Sequence, residues 1–277
     1  MTSLPVNTSR KFWLAPISAL FDHHSLVMEL AKRDVLGRYR GASFGLLWSL
    51  ISPFMMLCVY TFAFGGVLKS RWPTAPTGES NFAVILFIGL IIHGFFAECL
   101  MRSPTLITNN PNFVKRLVFP LEVMPWPMVL SALFHLVMNL VVFLGLKLIM
   151  EGTLAWHMYL LPIVLTPLVL MSLGVAWLLA ALGVYLRDVN QVTSVLSTAL
   201  FFLSSAIVPV DAVPAKYRFF FEMNPLTFII DQARDVTLWD VAPNWYGLGC
   251  YTLIALAVAY AGRWWFELTR RGFADVL

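Results

Sequence analysis

Lys32-Arg33-Asp34-Val35-Leu36-Gly37-Arg38-Tyr39-Arg40 runs with almost no spacer into Phe44 to Leu68, an apolar stretch broken only by small, hydroxylated or turn residues. An α-helix rises about 1.5 Å per residue and the hydrocarbon core of a bilayer is roughly 30 Å thick, so about 20 apolar residues cross it. The junction therefore reads as a basic surface segment joined directly to a membrane span. Five further runs qualify on either side of the same test: 82–101, 128–150, 159–186, 189–208 and 247–266. Composition agrees, because a chain of 277 residues that is 59% hydrophobic and 12% charged has too few charges to clothe a soluble globule. Runs this long predict helices, since a barrel strand needs only about 10 residues and alternates with period two, which these runs do not. The expected fold is an all-α integral membrane protein, one domain over 1–277. It has six transmembrane helices (44–68 and the five runs above), an N-terminal amphipathic interface helix over 17–42 and short re-entrant helices in an outer segment, 209–245.

Six spans return both termini to one side, and the Lys and Arg residues divide unequally between the two sets of loops. Thirteen of nineteen (Arg10, Lys11, Lys32, Arg33, Arg38, Arg40, Arg102, Lys115, Arg116, Arg187, Arg263, Arg270 and Arg271) fall in one set. Both termini, the loop 102–127 and the turn Arg187-Asp188 are accordingly expected in the cytoplasm. Arg10 and Lys11 precede no apolar core of signal-peptide type, so insertion is expected to fall to the first span. Pro162 and Pro167 predict a bend in the fourth span. After the fifth, Pro209, Pro214, Pro225 and Pro243 separate two apolar patches, Phe219-Phe220-Phe221 and Leu226 to Ile230, each too short to cross. They read as interfacial or re-entrant helices, the alternative being a surface loop.

In the basic segment, Val27, Leu30, Ala31 and Val35 share one helical side and Glu29, Lys32, Arg33 and Arg40 the other, with Asp34, Leu36 and Arg38 spoiling the pattern. Such a helix suits the inner leaflet, its cations near anionic head groups; a charged flank that only sets topology is the other reading.

The pattern excludes several chemistries. GxxxxGK[ST], HExxH and GxSxG are all absent, as is metal-ligand spacing of His and Cys, so no catalytic site, metal site or bound cofactor is expected on this chain. Asp22-His23-His24-Ser25 lacks the thiolate that DHHC acyltransferase chemistry requires. Cys58, Cys99 and Cys250 lie singly inside spans and read as small apolar residues. The net charge of +4 reads as an orientation signal and gives no support to a nucleic-acid partner. His93, Glu98, His135, Asn139 and Lys147 are costly inside spans. Snorkelling is expected for Glu98, Arg102 and Lys147 and a hydrogen bond to a neighbour for the histidines, against a proton relay. Tyr60 and Phe64 at i, i+4, with Phe201 and Phe202, are either packing residues or a surface on which a sugar ring stacks.

Arg38-Tyr39-Arg40-Gly41-Ala42-Ser43-x-Gly45-x-x-Trp48-x-x-x-x-Pro53 resembles the signature of ABC-2 type permeases that export polysaccharides, the O-antigen, capsule and teichoic acid group. Asn112-Phe113-Val114-Lys115-Arg116-Leu117-Val118-Phe119-Pro120-Leu121-Glu122, Tyr185-x-Arg187-Asp188 and Met223-Asn224-Pro225-Leu226-Thr227 resemble its later landmarks in order. Ala42-Ser43-Phe44 is a small departure, many relatives having a serine followed by another small or apolar residue. The resemblance implies a multi-pass protein of the bacterial inner membrane. It implies a homodimer with two copies of a cytoplasmic ABC ATPase, which binds the ATP and Mg, and a channel lined largely by the first and fifth spans. It also implies roles: Asn112, Lys115, Arg116, Phe119, Glu122, Arg187 and Asp188 would receive the ATPase stroke, and Tyr60, Phe64, Phe201 and Phe202 would touch the glycan. Lys32, Arg33, Arg38 and Arg40 would meet the head group of a lipid-linked substrate, or only membrane lipids. Export of an O-antigen type polymer is the expected function; an ABC-2 permease for a small lipid or drug is the alternative.

Overall fold

The computed structural model describes residues 20–63, 82–114 and 119–276, and those residues form helices and turns only. Helix α1 is His24–Arg38, and the first span enters through a 3-10 turn, Gly45–Leu47, into α2, Trp48–Tyr60. α3 is Phe82–Arg102, α4 Pro125–Glu151, α5 Leu161–Tyr185 and α6 Val189–Phe202. Two shorter helices, α7 (Ala215–Glu222) and α8 (Pro225–Thr237), precede α9, Trp245–Thr269, and a final turn, α10, Phe273–Val276. Local chemistry sets several of these ends. Asn224 and Asn244 accept from the backbone N–H of Leu226 and Gly247 at 2.9 and 3.0 Å, capping α8 and α9. Gly152, at φ 70°, closes α4 in the left-handed conformation that glycine adopts without cost.

Among the described residues, five helices are long and apolar enough to cross a bilayer, matching the first, second, third, fourth and sixth expected spans. The fifth differs. α6 stops after 14 residues, about 21 Å of helix, where the sequence run continues to 208. It stops because other partners take its last carbonyls: Asn224 Nδ2 donates to Leu200 O at 2.8 Å and Leu203 O at 3.0 Å, while Ser204 Oγ accepts from the Ala206 N–H. Non-helical backbone survives at membrane depth only where protein satisfies it, and here α8 does so. Arg234, fully buried, donates to Ile85 O (3.2 Å), Ser205 O (2.6 Å) and Ala206 O (3.0 Å). In the segment where outer re-entrant helices are expected, the structure has a buried α8, stapled to α3 and to the broken end of α6, and an α7 with no buried residue.

α3 is the central helix, with most of its residues buried against α4, α5, α6 and α8. α5 and α9 form the most extensive helix pair. Their axes approach through Gly174, Ala255, Ala259 and Gly262: a Cβ on Gly174 would lie 2.6 Å from the Ala259 Cα. Without a hydrophobic drive between helices in lipid, such small-residue contact supplies the dispersion energy that holds them. Pro167 sits inside an uninterrupted α5.

Candidate functional site

Ion pairs concentrate at one end of the bundle. Asp34 on α1 receives both its hydrogen bonds from Arg102 of α3 at 2.7 Å, Arg102 also holds Glu98 at 2.9 Å, and Glu98 pairs with Arg38 back on α1. The chain Asp34–Arg102–Glu98–Arg38 alternates in sign, so every charge faces its opposite. Glu98 and Arg102 are therefore paired instead of snorkelling as expected, and Lys147 is buried. The spoilers of the amphipathic pattern in α1, Asp34 and Arg38, are the residues that dock it, while Val27 and Ala31 bury against α4.

Of the four head-group candidates, Lys32, Arg33 and Arg40 are exposed, whereas Arg38 is drawn to Glu98. The coupling candidates form a belt at the same end. Phe119 stacks on Phe113 with centroids 4.3 Å apart, and Phe113 reaches Leu30, Asp34 and Arg102 across a small cleft. Glu122 accepts from Arg270 at 2.8 Å, its carbonyl accepts the Trp177 indole N–H at 2.9 Å, and the Tyr185 hydroxyl donates to Thr269 O at 2.7 Å. Arg187 lines a cavity with Pro104, Thr105, Asn190 and Val276, and Asn112, Arg187 and Asp188 are exposed. Helix α1, the loop after α3, the α5–α6 turn and the C-terminal turn thus share one end. Lys115 and Arg116, like Phe64, lie outside the described residues.

Beside the ion pairs a groove of about 370 Å³ opens between α2, α3 and α4. Trp48, Ser52, Met56 and Tyr60 form its wall on α2, and Arg38, Tyr39 and Glu98 close its end. Leu90 and Gly94 of α3 line it, and His93 on the same α3 face hydrogen-bonds Ser197 O at 3.1 Å and meets the Phe201 ring at 4.8 Å. Phe202, 5.4 Å from Phe201, is 63% exposed. Tyr60 and Phe201 therefore flank one strip of α3 instead of touching each other. Among the described residues, the outer faces of α2 (Phe54, Met55, Val59), Phe62 just after it and the outer face of α6 (Val192, Val195, Phe202) are exposed.

Sequence reading passed over Asp34, Glu98 and Arg102 as a network, although Glu98 and Arg102 stand at i, i+4 at the end of an apolar run. Burial pushes the Asp34 carboxyl up, but the hydrogen bonds and charge of Arg102 outweigh it and hold the group below the usual carboxylate range. With a folded pKa below the unfolded value of about 3.9, its contribution is complete above that pH and is lost as pH falls through the folded value. Hydrogen exchange across α1 is expected to stay slow from neutral pH down to about pH 4 and to rise below it. Asp34→Asn should raise it already at pH 7, by about 1 kcal/mol of lost docking for a partly exposed pair. Equal exchange in both proteins at pH 7 would remove the pair from docking.

The pattern of the family described as ABC-2 type transporter matches residues 25–238. Among curated proteins, the chain is 24% identical over 261 residues to the O-antigen export system permease protein RfbA of Myxococcus xanthus, covering 94% of this chain and 98% of that one. An RfbA of Klebsiella pneumoniae bearing the same description is 24% identical over 260 residues, 93% and 96% of the two chains. The polysialic acid transport protein KpsM of Escherichia coli is 24% identical over 241 residues, 85% and 90%.

Proposed function

Because the chain belongs to the ABC-2 type transporter family, we propose that it is the membrane-spanning permease of an ATP-driven exporter that moves a lipid-linked polysaccharide, of O-antigen type, out of the cytoplasm. Relatives named for O-antigen export and polysialic acid transport, matched over nearly their whole length, support the substrate class. The observation that carries the mechanism is the half-covered strip Leu90, His93 and Gly94 of α3, flanked by α2 with Tyr60 and α6 with Phe201 and Phe202. Polar groups left open at membrane depth are costly unless they face water, substrate or protein. Two copies meeting over these faces enclose a path in which aromatic rings contact sugar faces and exclude water.

In this reading the end bearing α1, the loop after α3 and the C-terminal turn faces the cytoplasm of a bacterial inner-membrane protein, as do both chain termini, a reading that the distribution of Lys and Arg supports. Two copies of an ATPase bind ATP with Mg and press on the belt of Asn112, Phe119, Glu122, Arg187 and Asp188. The links Glu122–Arg270 and Tyr185–Thr269 would carry that displacement into α5 and α9, since short packed elements shift as rigid bodies. Lys32, Arg33 and Arg40 are free to meet a phosphorylated head group, for which Arg offers a planar fork. Reconstituted with its ATPase in nanodiscs, the chain is expected to raise ATP hydrolysis when given undecaprenyl-linked glycan extracted from cells that lack it. Stimulation by small amphiphiles but by no such glycan would replace the polysaccharide reading with that of a small-lipid or drug permease.

A further inference from the structure

The groove beside the ion pairs holds polar groups that the fold leaves unserved. His135 Nδ1 stands 2.7 Å from Ser131 O. A carbonyl only accepts, so Nδ1 carries the proton and Nε2 of the neutral ring is an acceptor. That Nε2 is buried and has no partner among the described residues. Asn139, four residues on and so on the same face of α4, lines the groove, as does the Ser52 hydroxyl of α2, and among the described residues neither side chain is hydrogen-bonded. Rings stand around them: Trp48 and Tyr60 on α2, and Tyr39, whose centroid is 5.8 Å from that of His135.

The ligand chemistry follows by matching these groups. An acyl chain would leave the already buried histidine nitrogen without a partner and would bury the amide and the hydroxyl unpaired, at a cost of about 1–3 kcal/mol each. A bare anion fits no better, because Arg38 is already committed to Glu98, whose carboxylate also lines the groove and repels negative charge. A pyranose offers what is missing: hydroxyls that donate to His135 Nε2 and Glu98, accept from the Asn139 amide, and exchange either way with Ser52, together with an apolar face for an aromatic ring. The volume, about 370 Å³, lies within the range of small-molecule sites, about 300–1,000 Å³. The geometry points to a monosaccharide-binding subsite inside each protomer, built by α2, α3 and α4 and closed by the end of α1. It deepens the polysaccharide reading and rests on it. Because Arg38 and Tyr39 line the subsite, a bound sugar would be sensed by the helix that the ion pairs dock.

The test uses the full exporter, this chain with its ATPase, in nanodiscs. Its probe is the undecaprenyl-linked glycan extracted from cells lacking the exporter, with undecaprenyl phosphate as the sugar-free control. The readout is the glycan concentration giving half-maximal stimulation of ATP hydrolysis. Asn139→Leu and His135→Phe are each expected to raise it about tenfold, the worth of one hydrogen bond to a buried group, and Asn139→Gln to restore part of the loss. Ser52→Ala, a smaller change on a different helix, decides the matter should either α4 variant fail to assemble; it is expected to raise the value severalfold. Half-saturation unmoved in the variants while the parent responds would overturn the subsite alone. An equal shift seen with undecaprenyl phosphate would hand the groove to the lipid head group. A parent complex that no glycan stimulates would bring down the polysaccharide reading and the subsite with it.

Discussion

Gly262→Val is expected to leave little folded protein, and for a reason specific to its place. A Cβ on Gly262 would overlap the carbonyl oxygen of Gly174 and lie 2.9 Å from its carbonyl carbon. Overpacking costs about 1–3 kcal/mol where a flexible side chain can move aside. Here the obstacle is backbone in mid-helix, so α5 and α9 must separate along the whole seam that buries Ala255, Ala259 and Phe266. The loss is expected to exceed about 3 kcal/mol, read as a collapse of the thermal unfolding midpoint in detergent. Gly249→Ala supplies the control: it lies on the same helix with nothing within 4 Å of its Cβ position, and it should be neutral or slightly stabilising. A valine variant melting with the parent would show that the two helices do not approach this closely.

Arg234→Leu is the second large effect. Its guanidinium supplies donors to three buried carbonyls, Ile85, Ser205 and Ala206, and to the Asp231 carboxylate at 3.4 Å. Leucine supplies none, and carbonyls stripped of donors in a dry interior cost about 1–3 kcal/mol apiece, so the expected loss is about 3–5 kcal/mol. Lysine restores charge without the planar fork and should recover only part. Gly89 belongs to the same device, because any Cβ there would come within 2.9 Å of the Ala206 Cα and the Arg234 guanidinium. Hydrogen exchange should rise first between 203 and 237, the segment the arginine ties down, and later elsewhere. Uniform protection in the leucine variant would mean that α8 is held by its apolar face alone.

Both residues show where a linear reading stops. Nothing in the sequence from Asp231 to Asp235 distinguishes a buried arginine from an exposed one, and the partners of Arg234 are carbonyls 149 and 29 residues away. The short length of α6 was hidden for the same reason, its apolar run continuing past the point where Asn224 and Arg234 take over the backbone. The landmark Met223-Asn224-Pro225 was visible in the sequence, but its work was not: one side chain caps α8 and also closes α6. In the candidate site, Tyr60, Phe201 and Phe202 were picked out by type and spacing, and the structure sets them on either side of α3. Asn139 and His135 were noticed as polar residues in a span, yet only the neighbouring α2 and α3 make them the lining of a groove.

Hydrophobic run length decided, unaided, that this chain crosses a membrane repeatedly as helices, because the cost of exposing polar backbone to lipid arises segment by segment. Local motifs in order decided the family for the same reason of locality. Which charges neutralise one another, which glycines let helices touch and which carbonyls an arginine serves were settled by tertiary structure. These depend on distances between residues far apart in the chain, and burial by a neighbouring helix decides whether a polar group is solvated, paired or held open for a ligand.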